Sequence, residues 1–251
     1  MLPNDWLPAS GPIGSPLTWK CLLKAILGDN ISTFRKLHIF EEKGERIIAV
    51  ASAGNLSVTQ TVLSVLAEGV VNPKTDELET LMNAPTMFQA AQRLGRTARE
   101  VGKTMGESLE AAEINYDVSF LIGGQIKGGR GMRLFMVYPA GNFIECTRDT
   151  PYLQIGEHKY GKPVLDRAIT HDIDLYDALK VGLVSVDSTM RSNLSVGMPL
   201  DVLVVRRDVF HAELNYRIEP GEPYFQGLRD RWSAALREAH NTIPRPPYKN
   251  P

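Results

Sequence analysis

Cysteine is scarce in this chain: two in 251 residues, Cys21 and Cys146, with no CxxC pair. That excludes a disulfide framework and a cysteine-built zinc site, and it fits a reducing compartment. A dominant charge is missing too. Twenty-eight Lys and Arg against 29 Asp and Glu leave a net charge of −1, whereas proteins that live on nucleic-acid phosphates or acidic lipids carry a clear basic excess. No apolar run approaches the length of a membrane span. Lys20 and Lys24 interrupt residues 17–28, so no continuous apolar stretch of a secretory signal is present either. With 43 % hydrophobic and 23 % charged residues the chain can bury a real core. The expectation is a cytoplasmic globular protein with no nucleic-acid and no membrane partner.

Familiar catalytic signatures are absent as well. There is no HExxH and no GxSxG, and the five histidines (His38, His158, His171, His211, His240) are scattered. The cluster Gly123, Gly124, Gly128, Gly129 and Gly131 lacks the GxxxxGK[ST] spacing of a phosphate loop. A strand-like run, Met132–Tyr138, follows it where such a loop needs a helix N-terminus, so a hairpin turn explains these glycines better. Thr33 and Lys36 have SxxK spacing, but Lys36 opens a strand-like run, which puts the two on opposite faces.

What is present is a succession of short patterned segments. Residues 1–16 hold four prolines and two glycines and read as an arm. Residues 17–28 read as a short helix stopped by Gly28. Lys36–Phe40 and Arg46–Ala53, separated by EEKGE, predict a β-hairpin. Asn55 caps a helix carrying Val58, Val62, Val65 and Leu66 that ends near Gly69, and a longer helix runs from Thr86 to Leu109. Strands follow at Asp117–Ile122, Arg133–Tyr138, Asn142–Cys146 and Tyr152–Ile155, then helices at Tyr160–Ala168 and Asp174–Ser192. Residues 200–206 and Phe210–Ile218 form a further strand pair. A last helix, Glu222–Ala239, presents Phe225, Leu228, Trp232 and Leu236 as one buried stripe. The tail from Ile243 has four prolines in nine residues. Strands in antiparallel groups and helices in pairs argue against a doubly wound parallel sheet and for two sheets between helix layers.

Lys36 is the charge of most chemical interest. It lies directly before an apolar strand, and Ser52–Ala53–Gly54–Asn55 ends the adjoining strand and starts a helix. Hairpin pairing brings both into one neighbourhood, where a poorly solvated lysine becomes a usable proton acceptor. The Gly54 amide, beside a helix N-terminus, is placed to face a developing oxyanion. The alternative is a strand-edge lysine that snorkels and a glycine that simply fits its turn. Composition and spacing leave both open.

Longer strings carry a resemblance. DNISTFRKLHIF at 29–40, SAGNLSVTQTVL at 52–63, FLIGGQIKG at 120–128, YPAGNFIECT at 138–147, QIGEHKYGKPVLDR at 154–167 and VDSTMRSNLSVGMPLDVLVV at 186–205 closely resemble the bacterial proteasome-related Anbu (ancestral β-subunit) family, from Asp29 to about Arg237. The resemblance implies the α+β, four-layer αββα sandwich of the N-terminal-nucleophile hydrolases. It implies a threonine-type peptidase in which a terminal threonine attacks the amide carbonyl, with its own α-amino group as base. Lys36 takes the role of the lysine that tunes that pair, and Gly54 that of the oxyanion-binding backbone amide. The additional serine and aspartate positions of proteasome subunits fall near Glu157, Asn193 and Val196, which do not match, with Ser195 close but offset; they carry no role.

No residue of this chain is identified as the nucleophile. The family expects roughly thirty residues and an Asp-Ser-Arg-Thr turn between its threonine and its lysine. Counting back 31 residues from Lys36 reaches Asp5, and Thr18 is 18 residues away, too close for two strands and a turn. Residues 1–28 therefore read as an atypical arm, a replaced or misread beginning, ahead of a body at 29–240 and a Pro-rich tail at 241–251. The implied function is hydrolysis of peptide amide bonds in a peptide or protein substrate, inside a self-associated ring or helical assembly. The alternatives are a non-catalytic assembly subunit or a small-molecule amidase of the same fold. No metal or organic cofactor is implied, and no docking motif for an ATPase partner is visible.

Overall fold

Alternation along two strands organises this chain. The computed structural model describes residues 23–25, 34–113 and 117–248. After β1 (Leu23–Ala25), strands β2 (Leu37–Glu42) and β3 (Arg46–Gly54) form the expected antiparallel hairpin, Leu37 opposite Ala51 and Glu42 opposite Arg46. In β3 successive side chains point to opposite faces. Ile48 and Val50 join one apolar cluster and Ala51 and Ala53 another. Both sides are buried, which is why RIIAVASAG reads as a continuous apolar run.

Asn55 caps α1 (Leu56–Glu68), accepting from the Val58 N–H at 3.1 Å, and the helix stops at Gly69. A small hairpin of β4 (Val70–Val71) and β5 (Leu78–Glu79) follows. The sequence reading has no counterpart for it, because two-residue strands are too short to show a period. α2 (Met87–Ala111), capped by Thr86, lies beside α1, and the two helices cover the Ile48–Val50 face. β6 (Val118–Ile126), β7 (Arg133–Val137) and β8 (Phe143–Glu145) complete a five-stranded antiparallel sheet in the order β2-β3-β6-β7-β8. Gly123 and Gly124 belong to β6 itself; the hairpin turn uses Gly128, Gly129 and Gly131.

The opposite face of this sheet packs on β9 (Leu153–Ile155), with Leu121, Leu134 and Met136 meeting Leu153 and Ile155. β9 pairs in parallel with β1. This corrects the helix expected over 17–28: residues 23–25 form a strand, because a sheet neighbour supplies their backbone partners and tertiary pairing overrides weak local propensity. The remainder of that segment, like the arm at 1–16, lies outside the described residues.

α3 (Lys162–Ala168), α4 (Leu175–Ser192, capped by Asp174), the antiparallel pair β10 (Leu200–Val204) and β11 (Leu214–Ile218), and α5 (Pro223–Thr242) complete the chain. Leu183, Val184, Val202, Val204, Ile218, Phe225 and Leu228 share one cluster, which puts α4 and α5 over the β10–β11 pair. The order of layers is helices, sheet, sheet, helices: the proteasome β-subunit-like α+β fold. Gln125, fully buried on β6, ties the layers together. Its amide donates to the carbonyls of Arg206 and Val209, each at 2.8 Å, and accepts from the Asp208 N–H at 2.9 Å.

The last helix departs from expectation at its far end. Phe225 and Leu228 are buried, but Leu236 is 51 % exposed. The stripe outruns the layer it packs on, and α5 continues three residues beyond Ala239.

Candidate functional site

The end of the β2–β3 hairpin brings Lys36 and Gly54 into one neighbourhood, as the sequence implied. The Ser52 N–H donates to the Lys36 carbonyl at 3.1 Å, one step past the Leu37–Ala51 pair. Lys36 therefore lies opposite Ser52, and the two side chains share a face. Lys36 is half-buried, and Ser52 is 2 % exposed. Sequence reasoning did not single out Ser52, since a serine within a strand carries no signal before its cross-strand partner is known.

Gly54 is two residues on. Antiparallel alternation turns successive backbone amides to opposite neighbours. In β3 the Ser52 N–H points to β2 and the Asn55 N–H points the other way, to the Asp117 carbonyl at 3.0 Å. The Gly54 N–H is thereby directed to the β2 side, just beyond Lys36. Its backbone has φ +111°, a conformation that L side chains rarely adopt. A chain with φ > 0 here can turn from sheet into α1 within one residue. The first turn of α1 begins at Leu56, so the partial positive charge of the helix N-terminus lies beside the Gly54 amide.

His38 also belongs to this strand. It lies two residues from Lys36, opposite Val50. Burial holds its imidazole below the ordinary value, partly offset by a hydrogen bond to the Arg35 backbone and by the Asp201 carboxylate. Asp201 itself is gripped by Arg217 through two bonds of 2.8 Å. At neutral pH His38 is an uncharged neighbour of the Lys36 strand.

A second polar group gathers where sequence positions are far apart. Glu157 accepts from the Asn193 amide at 3.0 Å and from the Lys159 N–H at 2.9 Å. Asn193 accepts in turn from the Ser195 hydroxyl at 2.6 Å. The Lys159 amide, followed by the Asn193 amide, holds the Glu157 carboxyl below its ordinary range. Among the described residues no group of three or more His, Cys, Asp or Glu side chains is arranged to hold a metal ion. Among them, too, no helix is long and apolar enough to cross a membrane.

A backbone N–H beside a helix N-terminus is a donor that suits an oxyanion, and a lysine on the neighbouring strand brings an amino group to the same end of the hairpin.

No family model and no curated protein matches the chain. Solved structures do. The Anbu (ancestral β-subunit) protein from Yersinia bercovieri is 46 % identical over 88 % of this chain and 90 % of its own, with a TM-score of 0.79. Anbu from Hyphomicrobium sp. strain MC1 is 45 % identical over 88 % and 90 %, with a TM-score of 0.76. The helical assembly of the Anbu complex from Pseudomonas aeruginosa supplies a third match, 44 % identical over 87 % and 88 %, with a TM-score of 0.79.

Proposed function

Because the chain belongs to the Anbu (ancestral β-subunit) family of proteasome-like proteins, we propose that it is a cytoplasmic, proteasome-type hydrolase subunit that cleaves peptide amide bonds within a self-associated ring or helix. The observation that carries the reading is the juxtaposition of Lys36 with the Gly54 amide at the mouth of α1. Lys36 holds a positive charge beside the attacking hydroxyl and lowers the cost of its deprotonation. The attacked carbonyl oxygen becomes an oxyanion, and the Gly54 N–H donates to it; one such donor contributes about 10²–10³ in rate. The same poles would serve a small-molecule amide, so substrate size is a property of the access route and not of these two groups. The nucleophile itself is assigned to no residue.

The test is turnover. Protein purified from its native cell, with its N-terminal residue identified by mass spectrometry, is offered a panel of fluorogenic peptides and a covalent threonine-targeting inhibitor. Peptide cleavage that the inhibitor stops, and that Lys36→Ala lowers by about 100-fold or more without changing particle size, is the expected result. Assembled wild-type protein that is neither labelled nor active on peptides overturns the peptidase reading. Activity on small amides alone supports the amidase, and none on either supports the assembly subunit.

A further inference from the structure

The chain beyond α5 has a chemistry that neither the fold nor the candidate site uses. Ile243 is followed by Pro244, Arg245, Pro246, Pro247 and Tyr248. Each proline fixes its own φ at about −65° and removes a backbone N–H. It also drives the residue before it out of the helical region towards extended ψ values. Ile243, Arg245 and Pro246 all precede a proline, so the backbone from Ile243 into Pro247 is confined to the polyproline II region by its own covalent structure. Ile243 has φ −77° and ψ 125°, which ends α5 and begins this run. The chain next bends at Pro247, the first of the three prolines with no proline after it.

Its surroundings leave this run open. Every residue from Ala234 to Tyr248 is exposed, Tyr248 at 87 %. No hydrogen bond or ion pair ties Pro244–Tyr248 to the other described residues. With three residues per turn, Pro244 and Pro247 lie on one edge of the run and Arg245 on the next. The proline rings are flat apolar ridges, and the carbonyls between them have no partner. Because the conformation is set in advance, little conformational entropy is lost on docking. Aromatic rings lining a groove accept such ridges, and their N–H and O–H groups donate to the carbonyls. Arg245 adds a guanidinium that pairs best with a carboxylate beside the groove.

We propose that Pro244–Pro247 is a docking ligand whose partner is a separate protein domain with an aromatic-lined groove and a carboxylate beside it. The end of α5 is the spacer for this contact. Ala234–Thr242, exposed throughout, spans about 13 Å at 1.5 Å per residue, which gives a globular domain room to reach the run. The site at Lys36 and Gly54 takes no part, so the proposal is independent of the peptidase reading.

The experiment uses the full chain. Its probe is a fluorescently labelled SH3 domain with acidic residues beside its groove, and binding is read by anisotropy. Wild-type protein is expected to bind the probe saturably. Pro244→Ala combined with Pro247→Ala, and separately Arg245→Glu, are expected to weaken binding by about tenfold or more at an unchanged melting temperature. A probe whose groove tryptophan is replaced by lysine is expected not to bind. Absence of saturable binding to the wild type overturns the proposal. So does equal binding by the double proline variant, by Arg245→Glu or by the altered probe. In sedimentation velocity, a chain truncated after Ile243 is expected to match the wild type in particle size. Smaller particles would make the run a contact between copies of this chain and overturn the separate partner.

Discussion

Gly54 and Asp117 face each other with no room for a side chain between them. A Cβ on residue 54 would press into the Asp117 carbonyl group and stand 2.9 Å from the Val118 Cα. The neighbouring Asn55 N–H is bonded to that same carbonyl, so neither strand can move aside without losing a ladder bond. Gly54→Ala therefore meets both a clash and an unfavourable φ. We expect a loss of at least about 1–3 kcal/mol in stability, seen as a lower denaturation midpoint. If the amide serves as an oxyanion donor, the surviving folded fraction also loses turnover.

Asp187 bridges the outer helices α4 and α5. Its carboxylate is fully buried, bonded to Arg229 at 2.6 Å and to Arg191 at 3.1 Å. Arg229 joins the two helices and lies over the Phe225 ring, whereas Arg191 is one turn along on the same helix and half-exposed. Arg229→Met should cost more than Arg191→Met. The larger effect is about 2–3 kcal/mol, because it strips the interhelical charge-assisted bond from a buried acid. Urea unfolding of both variants checks the order, and equal costs would contradict it.

Gly95 on α2 touches the turn between β7 and β8. A Cβ there would strike the Gly141 carbonyl, and one on Gly141 would strike the Gly95 carbonyl. Alanine is the better helix former by about 0.8–1 kcal/mol, but forcing two backbones apart in a packed layer costs about 1–3 kcal/mol. The clash wins. Gly95→Ala is expected to lower the melting temperature, while Gly102→Ala, with open space around it, should raise or preserve it.

His38 gives the hairpin a pH dependence with a definite sign. Its folded pKa lies below the ordinary 6.5 because burial disfavours the cation. Between the two values the unfolded chain binds more protons, so stability is intact above about pH 6.5 and declines as pH falls towards the folded value. Wild-type protein compared with His38→Gln at pH 7.5 and 5.5 should show the larger drop in melting temperature for wild type. Parallel curves would assign the acid sensitivity to other groups.

Much of the fold is legible in the chain. The hairpin at 37–54, the cap Asn55, the helix starts at Thr86 and Asp174, and the β10–β11 pair follow from alternation, side-chain acceptors and apolar runs, all of them local. That Lys36 and Gly54 lie at one end of the hairpin was legible for the same reason, since a hairpin turn specifies its own register. Three features were not. The strand at 23–25 depends on β9, some 130 residues away. The Glu157–Asn193–Ser195 group depends on how the α4 C-terminus returns to β9. The exposure of Leu236 depends on where the layer beneath α5 ends.

By itself the sequence determined most of the helices and strands, though not β1 or the β4–β5 hairpin, and which two groups stand at the hairpin's end. Those properties are set by interactions within a few residues or across a tight turn. Only the tertiary structure decided that Ser52 lies opposite Lys36, that the Gly54 amide points to the β2 side, and that half of the α5 stripe has nothing among the described residues to cover it. Facing and burial are relations between elements, and a periodic pattern states that a face is apolar without stating what it meets.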